Sequence, residues 1–476
     1  MNNNNNDVTK KYGLFTAITM IVGICIGSGI FFKSDNVLIA TNGSIALGVL
    51  SFILAAISII FGCLTIGELA SRTDKVGGLI SYAEMFLTRK VACAMGWFQT
   101  FVYYPTITSV VAWVIGVYIN ILFNLQASLE FEILIGYIFL LLCFVYNILL
   151  PKFGAFIQNS TTLIKLLPLF ILGILGIIFG DPINGLANTS INTLSGTGWI
   201  SALGPIAYSF DGWIVTTSIS HELKDAKKNM PKALMLGPLI VLSIYVLYFI
   251  GISCYVTPEV VMTLGDRHVS LAAQNLFGPA FSKMIIIFII ISVIGTVNGL
   301  VIGYIRMPYS LSLRKNMFPF SKHLRKIDKR FQMPLNSAIC SLIICTIWMF
   351  VHYLCTKYNL LYNSDVSEGA IGISYIFYTL LYIRVFKMYL DKEIKSKFKG
   401  LVCPILATIG SLIILSGGIQ NKLFIFYIIF CILLFLYSLY YYQKNKSLNN
   451  KPSLRIKRWF IIYKVDSFHK NSSISS

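Results

Sequence analysis

Gly27, Ser28 and Gly29 stand near the middle of the first long apolar segment, residues 13–32. Glycine costs roughly 1 kcal/mol relative to alanine inside a helix, so this triplet predicts a break in the helical backbone. Inside a membrane, unpaired backbone groups are tolerated only where they line a cavity or bind something. A broken helix presents free N–H groups to an anion and free carbonyls to a cation, which suits a zwitterionic ligand. Close packing of two helices is the alternative interpretation, and the triplet alone does not decide between them.

Asp211 is a second unusual position, because it lies about halfway through the sixth apolar segment and is followed by Gly212. A charge within a membrane segment is costly and by default marks a functional site. The alternative is that the segment ends early and Asp211 lies in a cytoplasmic turn. The residues that follow, 214–219, are still typical of a membrane segment. The sequence therefore favours a second broken membrane helix.

Lys165 is the only basic residue deep within a predicted span, near the middle of the fifth. A long side chain can extend towards the membrane interface, but from mid-span this reach is strained. The other interpretation is a fixed positive charge inside the protein.

The elements that must position these residues are membrane helices. Hydrophobic residues make up 56% of the 476 residues and charged residues only 12%, about half of the usual share in a soluble protein. Apolar runs long enough to cross a bilayer number roughly twelve. They lie near 13–32, 44–67, 92–122, 132–150, 154–179, 199–219, 234–256, 283–307, 336–355, 370–388, 401–418 and 423–442. The predicted fold class is thus an all-α polytopic membrane protein.

The net charge of +20 reflects topology and contact with anionic lipid. Most lysines and arginines fall in the even-numbered loops and in both tails, so the positive-inside rule predicts cytoplasmic termini. A nucleic-acid partner is not expected. The ten cysteines show no paired metal-ligand spacing. We therefore expect neither a metal site nor a cofactor.

The predicted organisation has three parts: a disordered cytoplasmic segment 1–12, a membrane domain 13–443, and a basic cytoplasmic tail 444–476. Spans one and six are both interrupted, and five spans separate corresponding positions. This is the layout of a 5+5 inverted repeat whose first helix is broken in each half. Repeat one covers 13–180, repeat two covers 199–388, and two additional helices occupy 401–442.

Several short motifs are spread over most of the chain in the order in which a known family carries them. They are Gly27-Ser28-Gly29-Ile30-Phe31, Glu68-Leu69, Gly77-Gly78 with Tyr82, Phe210-Asp211-Gly212-Trp213, Glu222-Leu223-Lys224-Asp225, Lys228-Asn229-Met230-Pro231, Gly295-Thr296-Val297-Asn298-Gly299 and Arg306. The chain resembles the amino acid–polyamine–organocation superfamily, and within it the bacterial relatives of the L-amino-acid transporters. No single motif is decisive, but the ordered set is specific.

The resemblance implies roles for the residues at the two breaks. The N–H groups of Ser28 and Gly29, with the Ser28 hydroxyl, would bind a substrate carboxylate. The carbonyls of Cys25, Tyr208 and Asp211 would accept from its ammonium group, and the Tyr208 ring would cover it. The complete predicted substrate site is Cys25, Gly27, Ser28, Gly29, Tyr208, Ser209, Phe210 and Asp211. Lys165 would replace the sodium ion that bridges spans one, five and eight in sodium-coupled relatives.

The expected function is amino acid transport across the plasma membrane of a bacterium by alternating access, as a sodium-independent exchanger or a proton symporter. Transport of polyamines or other organocations on the same fold is the alternative. An integral-membrane enzyme or a channel is more distant, because the sequence has no clustered nucleophiles and no repeated filter. The outer loop 122–131 contains no cysteine, so a covalent heavy-chain partner is not expected. Asp211 either favours a cationic or polar substrate side chain or braces the broken helix.

Overall fold

The computed structural model describes residues 13–27, 29–73, 77–187, 198–328, 330–331, 333–361, 365–419 and 424–450. The elements of this described part are helices. The α-helices are α1 (Leu14–Cys25), α2 (Gly29–Ala40), α3 (Ile45–Ala70), α4 (Leu79–Phe86), α5 (Arg89–Phe98), α6 (Tyr104–Phe123), α7 (Leu129–Leu149), α8 (Pro151–Ile164), α9 (Leu166–Phe179), α10 (Pro182–Ala187), α11 (Leu203–Phe210), α12 (Ala226–Val256), α13 (Pro258–Leu264), α14 (His268–Phe277), α15 (Pro279–Leu313), α16 (Ser321–Leu324), α17 (Leu335–Lys357), α18 (Val366–Leu390), α19 (Cys403–Ile419) and α20 (Phe424–Asn450). Gly198–Ala202, Trp213–Glu222 and Gly265–Arg267 form 3₁₀-helices, and Gln99–Tyr103 and Phe398–Val402 form π-helical turns.

Eleven helical segments of the described chain are long and apolar enough to cross a membrane. The predicted all-α polytopic fold is therefore confirmed. The predicted sixth span, 199–219, is not among the eleven, because it consists of the short α11 followed by a 3₁₀-helix. The run is apolar enough for a membrane span, but neither of its two short helices is long enough to cross a bilayer by itself.

The first candidate membrane span, Leu14–Phe31, ends close to the predicted residue 32. Helix α2 continues beyond it to Ala40. Lys33 lies in this continuation with only 2% of its side chain exposed, a buried basic residue that the sequence did not indicate.

Both broken spans lie in the interior of the helix bundle. Helix α1 packs against α12 and α15, and α2 packs against α11. Ile21, Ile26 and Phe31 of the first span are completely buried. Helix α20, by contrast, exposes most of its large apolar side chains, as expected of a surface that faces lipid. The interrupted helices are thus enclosed by protein, where free backbone groups are tolerated.

Polar side chains fix the starts of helices that lead into this interior. Ser44 accepts a hydrogen bond from the Leu47 N–H at the start of α3. Asp365 accepts one from the Ser367 N–H at the start of α18. Such caps satisfy N–H groups that have no partner within the helix.

The predicted domain boundaries stay predictions. Segment 1–12 and residues 451–476 of the predicted tail lie outside the described residues. Helix α20 continues to Asn450, seven residues past the predicted boundary at 443. The inverted-repeat arrangement likewise remains a prediction.

Candidate functional site

The break in the first span lies where the sequence predicted it. Helix α1 ends at Cys25, Ile26 is extended, and α2 begins at Gly29. The Gly27 N–H donates to the Cys25 carbonyl over 2.9 Å, which closes a tight turn outside the helical pattern. Ser28 lies outside the described residues, so its predicted role stays a prediction.

The break in the sixth span follows Phe210. Asp211 is extended, with ψ of 157°, and Gly212 has φ of +99°, a left-handed conformation that favours glycine. A Cβ on Gly212 would lie only 2.5 Å from Ile24 Cγ2 in α1. Asp211 lines the same cavity as Cys25 and Gly27 of the first break, which favours a broken span over a cytoplasmic turn.

The two breaks pack directly against each other. A Cβ on Gly29 would lie 2.6 Å from the Cα of Ser209. Because that neighbour is backbone, it cannot move aside as a flexible side chain would. The contact requires glycine at this position and holds the start of α2 against α11.

A small cavity lies between the breaks. It is lined by Ile24, Cys25, Gly27, Gly29, Ile107, Val111, Tyr208, Asp211, Gly212, Thr296 and Leu300. Its volume is about 20 Å³, room for about one water molecule. An amino acid is much larger, so the surrounding helices must move apart to admit one.

Five of the predicted site residues line this cavity: Cys25, Gly27, Gly29, Tyr208 and Asp211. Ser209 and Phe210 are buried beside it but do not line it. The Ser209 hydroxyl donates to the Pro205 carbonyl over 3.0 Å, and the Phe210 carbonyl accepts from the Cys25 thiol at 3.2 Å. Ser209 and Phe210 therefore stabilise the break in the sixth span through these contacts.

Tyr103 holds the Asp211 side chain, and sequence reasoning missed it. Its hydroxyl donates to Asp211 Oδ2 over 2.6 Å. Tyr103 ends the π-helical turn Gln99–Tyr103, and its side chain is completely buried. A π-turn is often found at functional sites because it redirects side chains. The sequence contains only a tyrosine in an apolar span, which is no specific signal.

Tyr245 of α12 connects the two breaks and was also missed. Its hydroxyl lies 2.7 Å from the Cys25 carbonyl oxygen and 2.6 Å from that of Ser209. The Cys25 carbonyl thus accepts from both Tyr245 and Gly27. Binding of a substrate ammonium at this carbonyl, as predicted, requires one of these donors to leave.

Lys165 lies at the junction of α8 and α9 and is fully buried. Its ammonium group donates to the Gly23 carbonyl in α1, close to the first break. Extension of this side chain to the membrane interface is therefore wrong. Gly23 packs against Thr162, and Gly295 of α15 packs against Thr161 too closely to accept a Cβ. Spans one, five and eight thus converge around the lysine.

Comparison with known proteins agrees with this geometry. The family model described as "Amino acid permease" matches residues 12–463. The chain belongs to the amino acid permease family. This permease is 30% identical over 425 residues to the serine/threonine exchanger SteT of Bacillus subtilis (strain 168), with 88% of this chain and 93% of the relative covered.

Two animal relatives extend the comparison. The permease is 27% identical over 452 residues to the human b(0,+)-type amino acid transporter 1, with 91% and 87% coverage. It is 24% identical over 434 residues to the human Asc-type amino acid transporter 1, with 86% and 81% coverage. The predicted family is confirmed, and so is the expectation of an amino acid permease or exchanger. Family membership points to a transporter rather than to an enzyme.

Proposed function

We propose that this permease binds an amino acid between its two helix breaks and exchanges it across the membrane without sodium. The observation that carries the proposal is the cavity enclosed by Cys25, Gly29, Tyr208 and Asp211. Helix ends that face one cavity offer N–H donors to a carboxylate and carbonyl acceptors to an ammonium group. This combination matches the backbone of an amino acid.

In this proposal the carboxylate binds to the N–H group of Gly29, the first residue of α2, and to the N–H group that the sequence predicts for Ser28. The carbonyls of Cys25, Tyr208 and Asp211 accept from the ammonium group, and the Tyr208 ring covers the substrate. When the substrate binds, the Tyr245 hydroxyl releases the Cys25 carbonyl and keeps its hydrogen bond to the Ser209 carbonyl. The backbone of the substrate is thus recognised by the breaks themselves, and its side chain extends towards spans three and eight.

Lys165 supports the sodium-independent part of the proposal. Its ammonium group is buried where spans one, five and eight converge and bonds the Gly23 carbonyl. A fixed cation at this position supplies the positive charge that a bound sodium ion would otherwise bring. Transport then needs no external cation to order the first span.

The proposed substrates are small amino acids with a hydroxyl or other polar side chain. Asp211 and Tyr103 form a polar pair at one wall of the cavity, whereas Ile107, Val111 and Leu300 form an apolar wall. The name of the Bacillus relative, a serine/threonine exchanger, agrees with a cavity of this polarity. A polyamine needs several separated anionic partners, and Asp211 is the only acid that lines the described cavity.

We further propose that both termini are cytoplasmic and that the permease works without a covalently bound heavy chain. The concentration of basic residues in the even-numbered loops and tails supports the orientation. The lack of cysteine in the outer loop 122–131 supports independence from a disulfide-linked partner.

Counterflow in proteoliposomes tests the function. Vesicles loaded with unlabelled serine should accumulate labelled serine in sodium-free buffer, and empty vesicles should not. A proton gradient imposed on empty vesicles separates exchange from proton symport, because only a symporter accumulates serine under that condition. Failure of both serine and threonine to drive counterflow would contradict the proposed substrate class.

A further inference from the structure

A buried ionic cluster connects α2 to the start of α18, next to the cavity. Lys33 of α2 lies 2.8 Å from Asp365 Oδ2 and 2.6 Å from Glu368 Oε1, measured from its ammonium nitrogen. The exposed fractions of these side chains are 2%, 5% and 12%. Each bond is charge-assisted and shielded from water, so removing one partner leaves a buried charge uncompensated.

The cluster stands directly next to the substrate cavity. Lys33 follows Gly29, which lines the cavity, by one helical turn or about 6 Å along α2. The Lys33 ammonium also lies 5.0 Å from the centre of the Tyr208 ring, which forms part of the cavity wall. Glu368 also approaches α11, since a Cβ on Gly204, one helical turn before Tyr208, would lie 3.4 Å from its Oε2. The cluster therefore joins α2, α11 and α18 beyond the cavity.

We propose that Lys33, Asp365 and Glu368 form an ionic latch that closes the outer entrance of the cavity. The proposal rests on the proposed orientation, in which α2 runs from the cavity towards the outside. For an amino acid to reach the breaks from that side, α2 and α11 must separate from α18. This separation breaks both bonds of Lys33 and exposes three charged groups to water, which rehydrates them and lowers the cost of opening.

The two acids of the latch have different duties. Asp365 also caps α18, because it accepts hydrogen bonds from the N–H and hydroxyl of Ser367. Its substitution would disturb the helix as well as the latch. Glu368 lies in the first turn of α18 and is not the capping residue. Glu368→Gln is therefore the cleaner substitution, since it removes the charge and keeps the size of the side chain.

A cysteine reporter in the cavity tests the latch. Ile107→Cys places a thiol in the cavity wall, in a background where Cys25, Cys254 and Cys355 are replaced by alanine. The rate of modification by a membrane-impermeant methanethiosulfonate reagent is measured in right-side-out vesicles. Lys33→Met and Glu368→Gln should each raise this rate by roughly tenfold or more, the shift expected when a charge-assisted hydrogen bond is lost.

Lys357→Met is the matched control. Lys357 also pairs with a glutamate, Glu130, over 3.0 Å, but both side chains are about half exposed. This control should leave the labelling rate unchanged. In inside-out vesicles the two latch variants should be labelled no faster than the parent, because the population shifts towards the outward-open form.

Two results would overturn the latch. One is an unchanged rate from the outside in both Lys33→Met and Glu368→Gln. The other is an equal increase from both faces, which would indicate a loosened fold. Serine counterflow by the unsubstituted permease is measured separately, so a wrong substrate assignment does not affect the labelling result.

Discussion

Asp211→Asn is the substitution that best separates substrate selection from structural support. It removes the charge of a cavity-lining side chain and keeps its size, its backbone carbonyl and an acceptor for Tyr103. The Tyr103 hydroxyl lies 2.6 Å from Asp211 Oδ2, so the bond is charge-assisted in the wild type. Loss of a hydrogen bond to a charged group costs about 1.5–3 kcal/mol, which corresponds to roughly 10–150-fold in an equilibrium constant.

We expect Asp211→Asn to weaken serine and lysine binding by that factor and to leave leucine little changed. The physical reason is that a polar or cationic side chain loses a charged partner, whereas an aliphatic side chain never used one. The assay is competition by unlabelled serine, lysine and leucine against one labelled substrate in proteoliposomes. Equal losses for all three would refute selection and leave Asp211 as a brace for the broken sixth span.

Tyr103→Phe completes the design as the second arm of a double-mutant cycle. It retains the ring and the Asp211 carboxylate, so serine binding should weaken less than with Asp211→Asn. The double variant should bind serine about as weakly as Asp211→Asn alone, because the two side chains act through one hydrogen bond. Fully additive losses would show that Tyr103 acts on the substrate by a separate route.

Three further predictions follow from the same geometry. Gly29→Val should abolish substrate binding without preventing membrane insertion, because its Cβ would lie 2.6 Å from the Ser209 Cα. Gly198→Val is the control, since no atom lies within 4 Å of a Cβ there. Wild-type affinity in folded Gly29→Val protein would contradict the packing of the breaks. Wild-type uptake should be the same in sodium-free and sodium-containing buffer. Lys165→Met should lower uptake strongly, whereas Lys357→Met, at a half-exposed lysine, should not. A strict sodium requirement of the wild type would show that Lys165 is misassigned. Tyr245→Phe should lower the free energy of unfolding by about 1–3 kcal/mol, because the Ser209 carbonyl loses a buried donor; unchanged stability would show that Tyr245 does not hold the breaks together.

The sequence by itself determined the location of the helix breaks. Consecutive glycine and serine residues weaken a helix wherever they occur, and an acid beside a glycine in an apolar run is unusual in any fold. Gly27, Gly29 and Asp211 could therefore be recognised without knowledge of their neighbours. Long apolar segments likewise predict membrane helices from composition alone, and the motif order sufficed for the family.

Tertiary structure alone decided what surrounds those breaks. Tyr103 lies 108 positions from Asp211, and Tyr245 lies 220 positions from Cys25, so no local pattern connects them. Tyrosines are frequent in this chain, with 26 among 476 residues, and only packing selects the two that bond the breaks. Lys33 lies just past the end of the apolar run 13–32, so composition gives no sign that its side chain is buried. Its burial became apparent only when α18 brought two carboxylates to it, because a buried charge is stable where a partner of opposite sign lies within hydrogen-bond distance.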